Sequence, residues 1–191
     1  MSEFLFATLL VAEQPSPLSN LFTADDVPVD QITPDKVQTV VIAVTARPDG
    51  KVLGCSVEGS SGDQKLDFYT CTLAAQRAKF GSSPSYVVRR ANVDWWVGDG
   101  HPPKTTYGDL VLKVAALPKD LRSPVLVHVL FAVDQAGVVS GCRQEGEREP
   151  PILVPVACEQ LARSFRPQPA RSEDGKLVPS QQNATVLFES K

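Results

Sequence analysis

One cysteine-containing phrase occurs twice in this chain of 191 residues. The stretch "DGKVLGCSVEG" begins at Asp49, and "AGVVSGCRQEG" begins at Ala136. With a shift of 87 residues, both cysteines of the first half fall on both cysteines of the second half. The same shift superimposes Gly50, Val52, Gly54, Cys55, Glu58, Gly59 and Cys71 on Gly137, Val139, Gly141, Cys142, Glu145, Gly146 and Cys158. A repeat of this length predicts two tandem copies of one small fold rather than a solenoid of short repeats.

Each copy begins with two strands joined by a tight turn. The apolar runs at 37–46 and 124–133 are rich in β-branched residues, which favour strands. The turns "RPDG", ending at Gly50, and "DQAG", ending at Gly137, place glycine where a hairpin needs a positive φ. A second strand then follows in each copy and contains the first cysteine of the pair.

A helix and a third strand complete each copy. In the first copy, Ser61 and Gln64 have the spacing of a capping box, and we expect the helix to extend to Lys79. The third strands are predicted at 86–97 and at 184–189. The sequence therefore predicts an α+β fold of two tandem β-β-α-β units, each an antiparallel sheet with one helix packed on it.

The four cysteines are placed to form one disulfide in each copy. A strand cysteine and a helix cysteine on facing surfaces can bridge, which predicts the pairs Cys55–Cys71 and Cys142–Cys158. Closing a loop of about 15 residues stabilises a small fold by roughly 3 kcal/mol. Zinc binding and four reduced, buried thiols remain alternatives. Zinc sites usually contain close cysteine pairs, which this sequence lacks, so we expect no metal.

The N-terminus is suited to export. Phe4 to Ala12 reads "FLFATLLVA", which resembles the apolar core and cleavage end of a secretory signal, although "MSE" before it contains no basic residue. A first β-strand or a frayed hydrophobic start is the alternative. The predicted organisation is a signal peptide at 1–12, an N-terminal extension at 13–36, a first domain at 37–98, a linker at 99–123 and a second domain at 124–191.

Composition and motifs exclude several classes of protein. The formal net charge is −3 and no long basic run occurs, so we expect no nucleic-acid partner. No apolar run approaches the roughly 18 residues that cross a membrane. No nucleophile elbow, zinc-protease motif or P-loop is found, which predicts a protein without catalytic residues or cofactors. An unrecognised hydrolase remains an alternative.

The run from Ala46 to Phe80 resembles the TonB C-terminal domain, and in particular energy transducer TonB-like proteins with a strand cysteine and a helix cysteine. The matching features are "PDGKV" at 48–52, "SSG" at 60–62, "LD" at 66–67, Cys71, and Phe80 at the end of the helix. The second copy matches more weakly, through "DQAGVVSGC" at 134–142, Cys158 and "FRPQPA" at 165–170.

The resemblance implies a periplasmic protein that binds a partner peptide as an added strand. Strand addition uses backbone hydrogen bonds and an open sheet edge, so the residues involved carry no strong signature. By position in the third strand, the resemblance makes Tyr86, Val88, Arg90, Trp95 and Trp96 the candidate binding residues. The partner would be a protein or peptide such as a segment of an outer-membrane receptor.

Two departures from TonB limit what the resemblance implies. We expect no membrane anchor and no long proline-rich spacer, which favours an accessory role in transport over direct energy transduction. The duplication allows the two units to pair their sheet edges with each other, which would make a self-contained structural module. Edge pairing between copies of the chain would give a homo-oligomer.

For two further pairs of residues in the third strand, the sequence predicts which side of the sheet they face. Trp95 and Trp96 are adjacent and should face opposite sides of the sheet, with one of them in the core. Arg89 and Arg90 are expected on a solvated strand face.

Overall fold

The computed structural model describes residues 18–98, 106–147 and 149–190. It contains two short 3-10 turns near the start of this range and then nine strands and two helices. Their bounds are β1 Gln38–Ala46, β2 Val52–Gly59, α1 Gln64–Arg77, β3 Tyr86–Trp95, β4 Leu110–Val114, β5 Val125–Val133, β6 Val139–Gln144, α2 Val154–Ser164, β7 Ala170–Arg171, β8 Leu177–Val178 and β9 Ser180–Ser190.

Seven strands form one mixed sheet in the order β2-β1-β3-β9-β5-β6, with β4 also paired to β9. The pairs β1–β2, β1–β3, β5–β6 and β5–β9 are antiparallel, whereas β9 runs parallel to both β3 and β4. The predicted α+β class is confirmed. The sequence predicts a separate antiparallel sheet for each unit. These seven strands instead share one sheet, because β3 and β9 pair with each other.

The tight turns follow the sequence prediction. Gly50 N donates to Arg47 O at 2.9 Å, and Gly137 N donates to Asp134 O at 3.1 Å. Both glycines have a positive φ, 83° and 81° respectively, which L-residues with a side chain rarely adopt. A Cβ on Gly50 would also collide with the carbonyl oxygen of Phe80, so the turn requires glycine twice over.

The start of α1 differs from the prediction. Its N-cap is Asp63, whose side chain accepts hydrogen bonds from Lys65 N at 2.7 Å and Leu66 N at 3.3 Å, and the helix ends at Arg77 rather than Lys79. Ser61 therefore does not form the predicted capping box. A carboxylate is a better acceptor for the positive end of a helix than a hydroxyl, which explains the preference.

Ser61 instead bonds the buried side chain of Asp67. The Ser61 hydroxyl and backbone N–H donate to Asp67 Oδ1 at 2.8 and 2.9 Å, and the Ser60 hydroxyl donates to Oδ2 at 2.5 Å. Burial raises the pKa of Asp67, but these three hydrogen bonds outweigh it and leave the pKa lowered. The segments "SSG" and "LD" of the sequence thus form one network that fixes the entry to α1.

The two helices lie on opposite faces of the sheet. The α1 face buries Val40, Ile42, Val44, Leu66, Ala74, Val93 and Trp95, and the α2 face buries Val127, Val129, Phe131, Leu161, Ala184, Val186 and Phe188. Val88 and Gln182 are neighbours in the β3–β9 pairing and therefore share a face. By strand alternation this is the α2 face, so the two cores do not merge.

One disulfide joins an outer strand to a helix in each half of the chain. Cys55 on β2 bonds Cys71 on α1, and Cys142 on β6 bonds Cys158 on α2, each with a Cα–Cα distance of 5.5 Å. Both predicted disulfides are therefore present. Zinc ligation and free thiols are excluded for these four residues, since none of them is free.

An N-terminal arm covers the end of the first core. Trp95 is 2% exposed, and its indole N–H donates to Thr70 Oγ1 at 2.8 Å. Phe22 packs edge-on against Trp95 with ring centroids 5.5 Å apart. Trp95 is thus the core member of the adjacent pair, and Trp96 is half-buried.

The arm is held by an ion pair. Arg77 donates to both carboxylate oxygens of Asp26 at 2.5 and 2.6 Å and to Leu21 O at 2.9 Å. The hydrogen bonds from Arg77, followed by those from Thr23, hold the pKa of Asp26 far below its ordinary value of 3.8. Tyr69 adds a hydrogen bond to the backbone oxygen of Asp26 at 2.8 Å.

The β7–β8 hairpin covers part of the α2 face of β1 and β3. Ala170 is buried against Ala43 and Val88, with Tyr86 and Val178 at its border. This hairpin lies between α2 and β9 and was not predicted. β4 is likewise not predicted and lies within the segment 99–123 that the sequence assigns to a linker.

Within the described ranges, no helix combines the length and apolarity needed to cross a membrane. The predicted signal peptide at 1–12 lies outside the described residues.

Replacing Cys55 and Cys71 together by alanine should lower the free energy of unfolding by roughly 3 kcal/mol, because the unfolded chain regains the freedom of a loop of about 15 residues. Urea unfolding of the oxidised proteins measures the difference. The Cys142→Ala/Cys158→Ala variant is the matched comparison and should lose a similar amount. An unchanged unfolding midpoint in both variants would contradict the stabilising role.

Replacing Asp26 by asparagine should destabilise the protein at neutral pH. A carboxylate with a lowered folded-state pKa contributes stability above its ordinary value of 3.8, and this contribution is lost as the pH falls further. The gap in urea midpoint between wild type and Asp26→Asn should therefore be present at pH 7 and shrink in acid. Asp25→Asn, an exposed neighbour in the same turn, is the control; an equal effect of both variants would refute the ion-pair explanation.

Candidate functional site

β3 and β9 form a short parallel ladder, and beyond its end a side chain of β9 bonds the backbone of β3. Tyr86–Val88 pair with Ser180–Gln182, and the backbone ladder then stops. Asn183 Oδ1 accepts a hydrogen bond from Arg90 N at 2.7 Å, and Asn183 Nδ2 donates to Arg90 O at 3.2 Å. The amide group thus satisfies both backbone groups of Arg90, as another strand would.

The guanidinium of Arg90 spans the same junction. Nη1 donates to Gln182 Oε1 at 2.8 Å and to Asn183 O at 3.2 Å, while Nε donates to Glu58 Oε2 at 2.8 Å. The Arg90 side chain is 6% exposed, and its Cζ lies 5.7 Å from the ring centroid of Phe165. We call Arg90, Gln182 and Asn183 the polar latch, since their side chains replace the ladder between the two strands.

Further along β9, beyond the polar latch, a carboxylate bonds the strand backbone. Thr185 N donates to Asp109 Oδ2 at 2.7 Å, and from Val186 onward β9 pairs with β4. Burial raises the pKa of Asp109, which outweighs the lowering by the Thr185 N–H and by the charge of Arg90. This edge of β9 is therefore bonded in turn by β3, by side chains and by β4.

On the opposite face, the junction contains a second buried arginine. Arg89 is 9% exposed and donates to the carbonyl and side-chain oxygens of Gln181 at 3.4 and 3.3 Å. Burial lowers the pKa of Arg89 and raises that of Glu145, and the charges of these two residues partly offset both shifts. Arg89 and Arg90 are both buried, so the expectation of a solvated strand face is wrong. Long polar side chains are needed here to bond the strands where the ladder ends.

The outer edge strands are irregular. The β1–β2 register shifts twice, between Val41 and Ile42 and between Thr45 and Ala46. The β5–β6 register shifts once, and Gly141 on β6 has a φ of 58°. Bulges of this kind twist an edge away from a flat geometry and discourage pairing with another strand.

β4 offers a regular edge. Its register with β9 is unbroken from Leu110 opposite Val186 to Val114 opposite Ser190. Since Thr185 N points towards β4, alternation directs the backbone groups of Leu110, Leu112 and Val114 to β9 and those of Val111 and Lys113 away from it. Val111 is 47% exposed, and no described strand pairs with this outward edge.

The predicted binding residues of the third strand are placed differently from one another. Tyr86 and Val88 lie in the β3–β9 pairing, and Arg90 belongs to the polar latch. Trp95 is a core residue beneath the N-terminal arm, and Trp96 is half-buried beside Gly98. The structure therefore brings Tyr86, Val88 and Arg90 together at the junction and separates the two tryptophans from it.

The residues that sequence reasoning missed are Gln182, Asn183 and Asp109. The predicted third strand began at Ala184, after the polar run "SQQN" at 180–183, although the strand itself begins at Ser180. A run of amides directly before an apolar strand was the available signal. Gln182 is fully buried, so its polar side chain had to have hydrogen-bond partners.

A histidine–glutamate pair and a cavity are further polar features of the described surface. Glu149 accepts a hydrogen bond from His128 N at 2.8 Å and contacts His128 Nδ1 at 2.9 Å, which fixes the ring beside β5. Among the described residues, no group of three or more His, Cys, Asp or Glu side chains is arranged to hold a metal ion.

A cavity of about 340 Å³ is lined by Thr39, Val41, Gly59, Ser60, Thr106 and Tyr107.

Comparison with known proteins finds no match among family models, curated proteins or solved structures.

Replacing Asp109 by asparagine should stabilise the protein at neutral pH. A carboxyl group with a raised folded-state pKa gives its most favourable contribution below the ordinary value of 3.8, and this contribution is lost as the pH rises through the folded pKa. Asparagine keeps an oxygen for Thr185 N and removes the buried charge. Asp109→Asn should therefore have a higher urea midpoint than wild type at pH 7 and the same midpoint near pH 3.

The matched control is Asp120→Asn, which changes an exposed carboxylate in the turn before β5. A lower midpoint for Asp109→Asn at pH 7 would show that the bond to Thr185 depends on the negative charge, and would overturn the expectation.

Proposed function

We propose that this protein is a non-enzymatic, periplasmic module of two TonB C-terminal-like units that binds a protein or peptide as an added strand. The observation that carries the proposal is the outward edge of β4. Strand addition needs a row of backbone groups in regular extended geometry, and Val111 and Lys113 offer such groups on a strand without bulges.

The order of elements supports the two-unit interpretation. The series β1-β2-α1-β3 is followed by β5-β6-α2-β9, with β4 before the second series and the small β7–β8 hairpin inside it. In both series a disulfide joins the second strand to the helix with the same Cα–Cα distance of 5.5 Å. Both first turns contain a positive-φ glycine at the same position.

The disulfides support a location outside the cytosol. Bonds of this kind persist in oxidising compartments such as the periplasm and are rare in the cytosol of mesophiles. A small two-layer fold also gains stability there from cross-links that a reducing compartment would remove.

The proposed partner is an extended protein segment, for which a receptor of TonB-dependent transport is the leading candidate on the sequence resemblance. An accessory role fits a module that holds such a segment rather than one that pulls on it. The partner segment would continue the sheet beyond β4 and place alternate side chains near Val111 and Lys113.

A self-contained structural module is the second candidate. It is favoured by the junction itself, where β9 is bonded along its length by β3, the Arg90 guanidinium, Asp109 and β4. On this interpretation, the two units satisfy each other's edges, and the bulges of β1–β2 and β5–β6 protect the outer strands.

Residue-resolved amide hydrogen exchange separates these two candidates. A capped peptide of alternating threonine and valine, flanked by lysines for solubility, is a generic probe of strand addition. Where it binds, exchange at Val111 and Lys113 should slow by about tenfold, the effect of 1.4 kcal/mol. Leu112 is the internal control, because its amide already bonds β9.

The matched control peptide has an N-methyl group on every residue, which removes the backbone donors of both of its edges. It should leave exchange at Val111 and Lys113 unchanged. Equal protection by both peptides, or no protection at millimolar peptide, would count against strand addition at β4 and in favour of the self-contained module.

A further inference from the structure

The two halves of the chain are joined by a contact unlike those within each half. β3 pairs with β1 along nine residues, from Ala46 opposite Val87 to Gln38 opposite Trp95. β9 likewise pairs with β5 from Val125 opposite Phe188 to Val133 opposite Ser180. Between β3 and β9 the backbone ladder is three residues long and parallel, a pairing slightly weaker per residue than an antiparallel one.

We propose that β9 is a built-in occupant of an acceptor edge on β3, and that the polar latch of Arg90, Gln182 and Asn183 holds this contact shut. The two halves part at this line without unfolding, and the parted state exposes the edge of β3 from Tyr86 to Arg90. This inference goes beyond the proposed acceptor at β4, because it concerns a second edge that the closed molecule hides.

The first argument is the polarity of the contact. The ladder contains the buried Val87 and Val88, but the side chains beyond it are arginines and amides, and each half has its own apolar core with its own helix. Polar groups that bond each other in the closed state can bond water in the open state, so their separation costs far less than the exposure of a core.

The second argument is the small size of the apolar and ionic contacts that the described residues make between the halves at this line. The apolar contact is a small cluster in which Ala170 meets Ala43 and Val88. The ion pair between Arg47 and Glu173 is partly exposed, and pairs of that kind contribute little. Neither contact approaches the size of the two cores.

The third argument is the burial of charge at the junction. Arg89 and Arg90 are among the most buried charged residues of the described chain, and Glu145 and Asp109 lie near them with pKa values raised by burial. Buried charges cost desolvation energy that opening would return. The closed state therefore depends on the bonds of the latch being complete.

The geometry also identifies which groups an incoming strand would use. Arg90 N and O both point to β9, so alternation directs the backbone groups of Tyr86 and Val88 the same way. Those of Val87, Arg89 and Ala91 point to β1. Opening the latch thus frees one regular row of donors and acceptors on β3 while leaving its other edge bonded.

Amide exchange of the oxidised full chain, measured at several low concentrations of denaturant, tests the proposal. If the halves part on their own, Val88 should exchange at least tenfold faster than Arg89 and Ala91 in the same strand, with a weaker dependence on denaturant. Sub-global opening has this signature, whereas global unfolding exposes all three amides together. Equal rates and equal denaturant dependence at the three sites would overturn the proposal.

A variant tests the latch itself. Asn183→Ala removes the amide that bonds Arg90, so exchange at Arg90 must rise for trivial reasons. Val88 is the informative site, because its own bond is to the backbone of β9. We expect Val88 to exchange about tenfold faster in Asn183→Ala, which corresponds to the loss of 1.4 kcal/mol.

Asn92→Ala is the control, since it shortens a partly buried asparagine on β3 that lies beyond the latch. It should leave Val88 unchanged. An unchanged Val88 in Asn183→Ala, or an equal acceleration in both variants, would show that Asn183 does not hold the junction shut. Circular dichroism and the intact disulfides confirm that each variant is folded.

The same experiment keeps this proposal separate from strand addition at β4. Protection of Val111 and Lys113 by a peptide reports on β4, whereas the rate at Val88 without peptide reports on the latch. If the latch opens and the threonine–valine peptide still protects neither Val88 nor Val111, the junction is mobile and the proposed binding function fails alone.

Discussion

The structure depends on how the two edges of β9 are satisfied. A strand in the middle of a sheet must find a partner for every backbone N–H and C=O, because a buried and unbonded group costs as much as a lost hydrogen bond. On one side β5 supplies a complete antiparallel ladder. On the other side β3 and β4 diverge, and in the gap between them the Arg90 guanidinium bonds Asn183 O and Asp109 bonds Thr185 N. The order of the sheet, the position of β4 and the buried arginines all follow from closing that second edge.

The repeat in the sequence predicts β1, β2, α1 and β3 in one half and β5, β6, α2 and most of β9 in the other, but not β4, β7 or β8. Turn glycines, β-branched runs and paired cysteines act locally, so their effect can be read without knowledge of the rest of the fold. Gly50 and Gly137 take the expected φ values, and both disulfides form. The start of α1 was harder to predict, because Ser61 and Asp63 compete as caps and the buried Asp67 decides the outcome by engaging Ser61.

The contact between the halves could not be predicted from local patterns. Whether two similar sheets stay separate or join depends on which edges meet, and that is set by contacts between residues about 90 positions apart, such as Arg90 with Asn183. Polar residues in a strand usually indicate a solvated face, which is why Arg89 and Arg90 were assigned to one. They are buried because amide side chains on β9 bond them. β9 contains amides and no arginine at this place, so the two strands differ here and the repeat gives no signal for the contact. The binding site in the third strands that the resemblance implies stays a prediction, and the resemblance gave no signal for the buried bonds of Gln182, Asn183 and Asp109.

The β3–β9 pairing also has a consequence for association between chains. It is a contact between two different surfaces, so it does not pair a surface with itself as a two-fold dimer does. If β3 of one molecule met β9 of the next, the same contact would repeat without closing and would build an open filament. Joining both strands in one polypeptide gives them a high effective concentration for each other, so the intramolecular contact forms first. Joining β3 and β9 in one chain thus converts an interaction capable of polymerisation into one that ends within a single molecule.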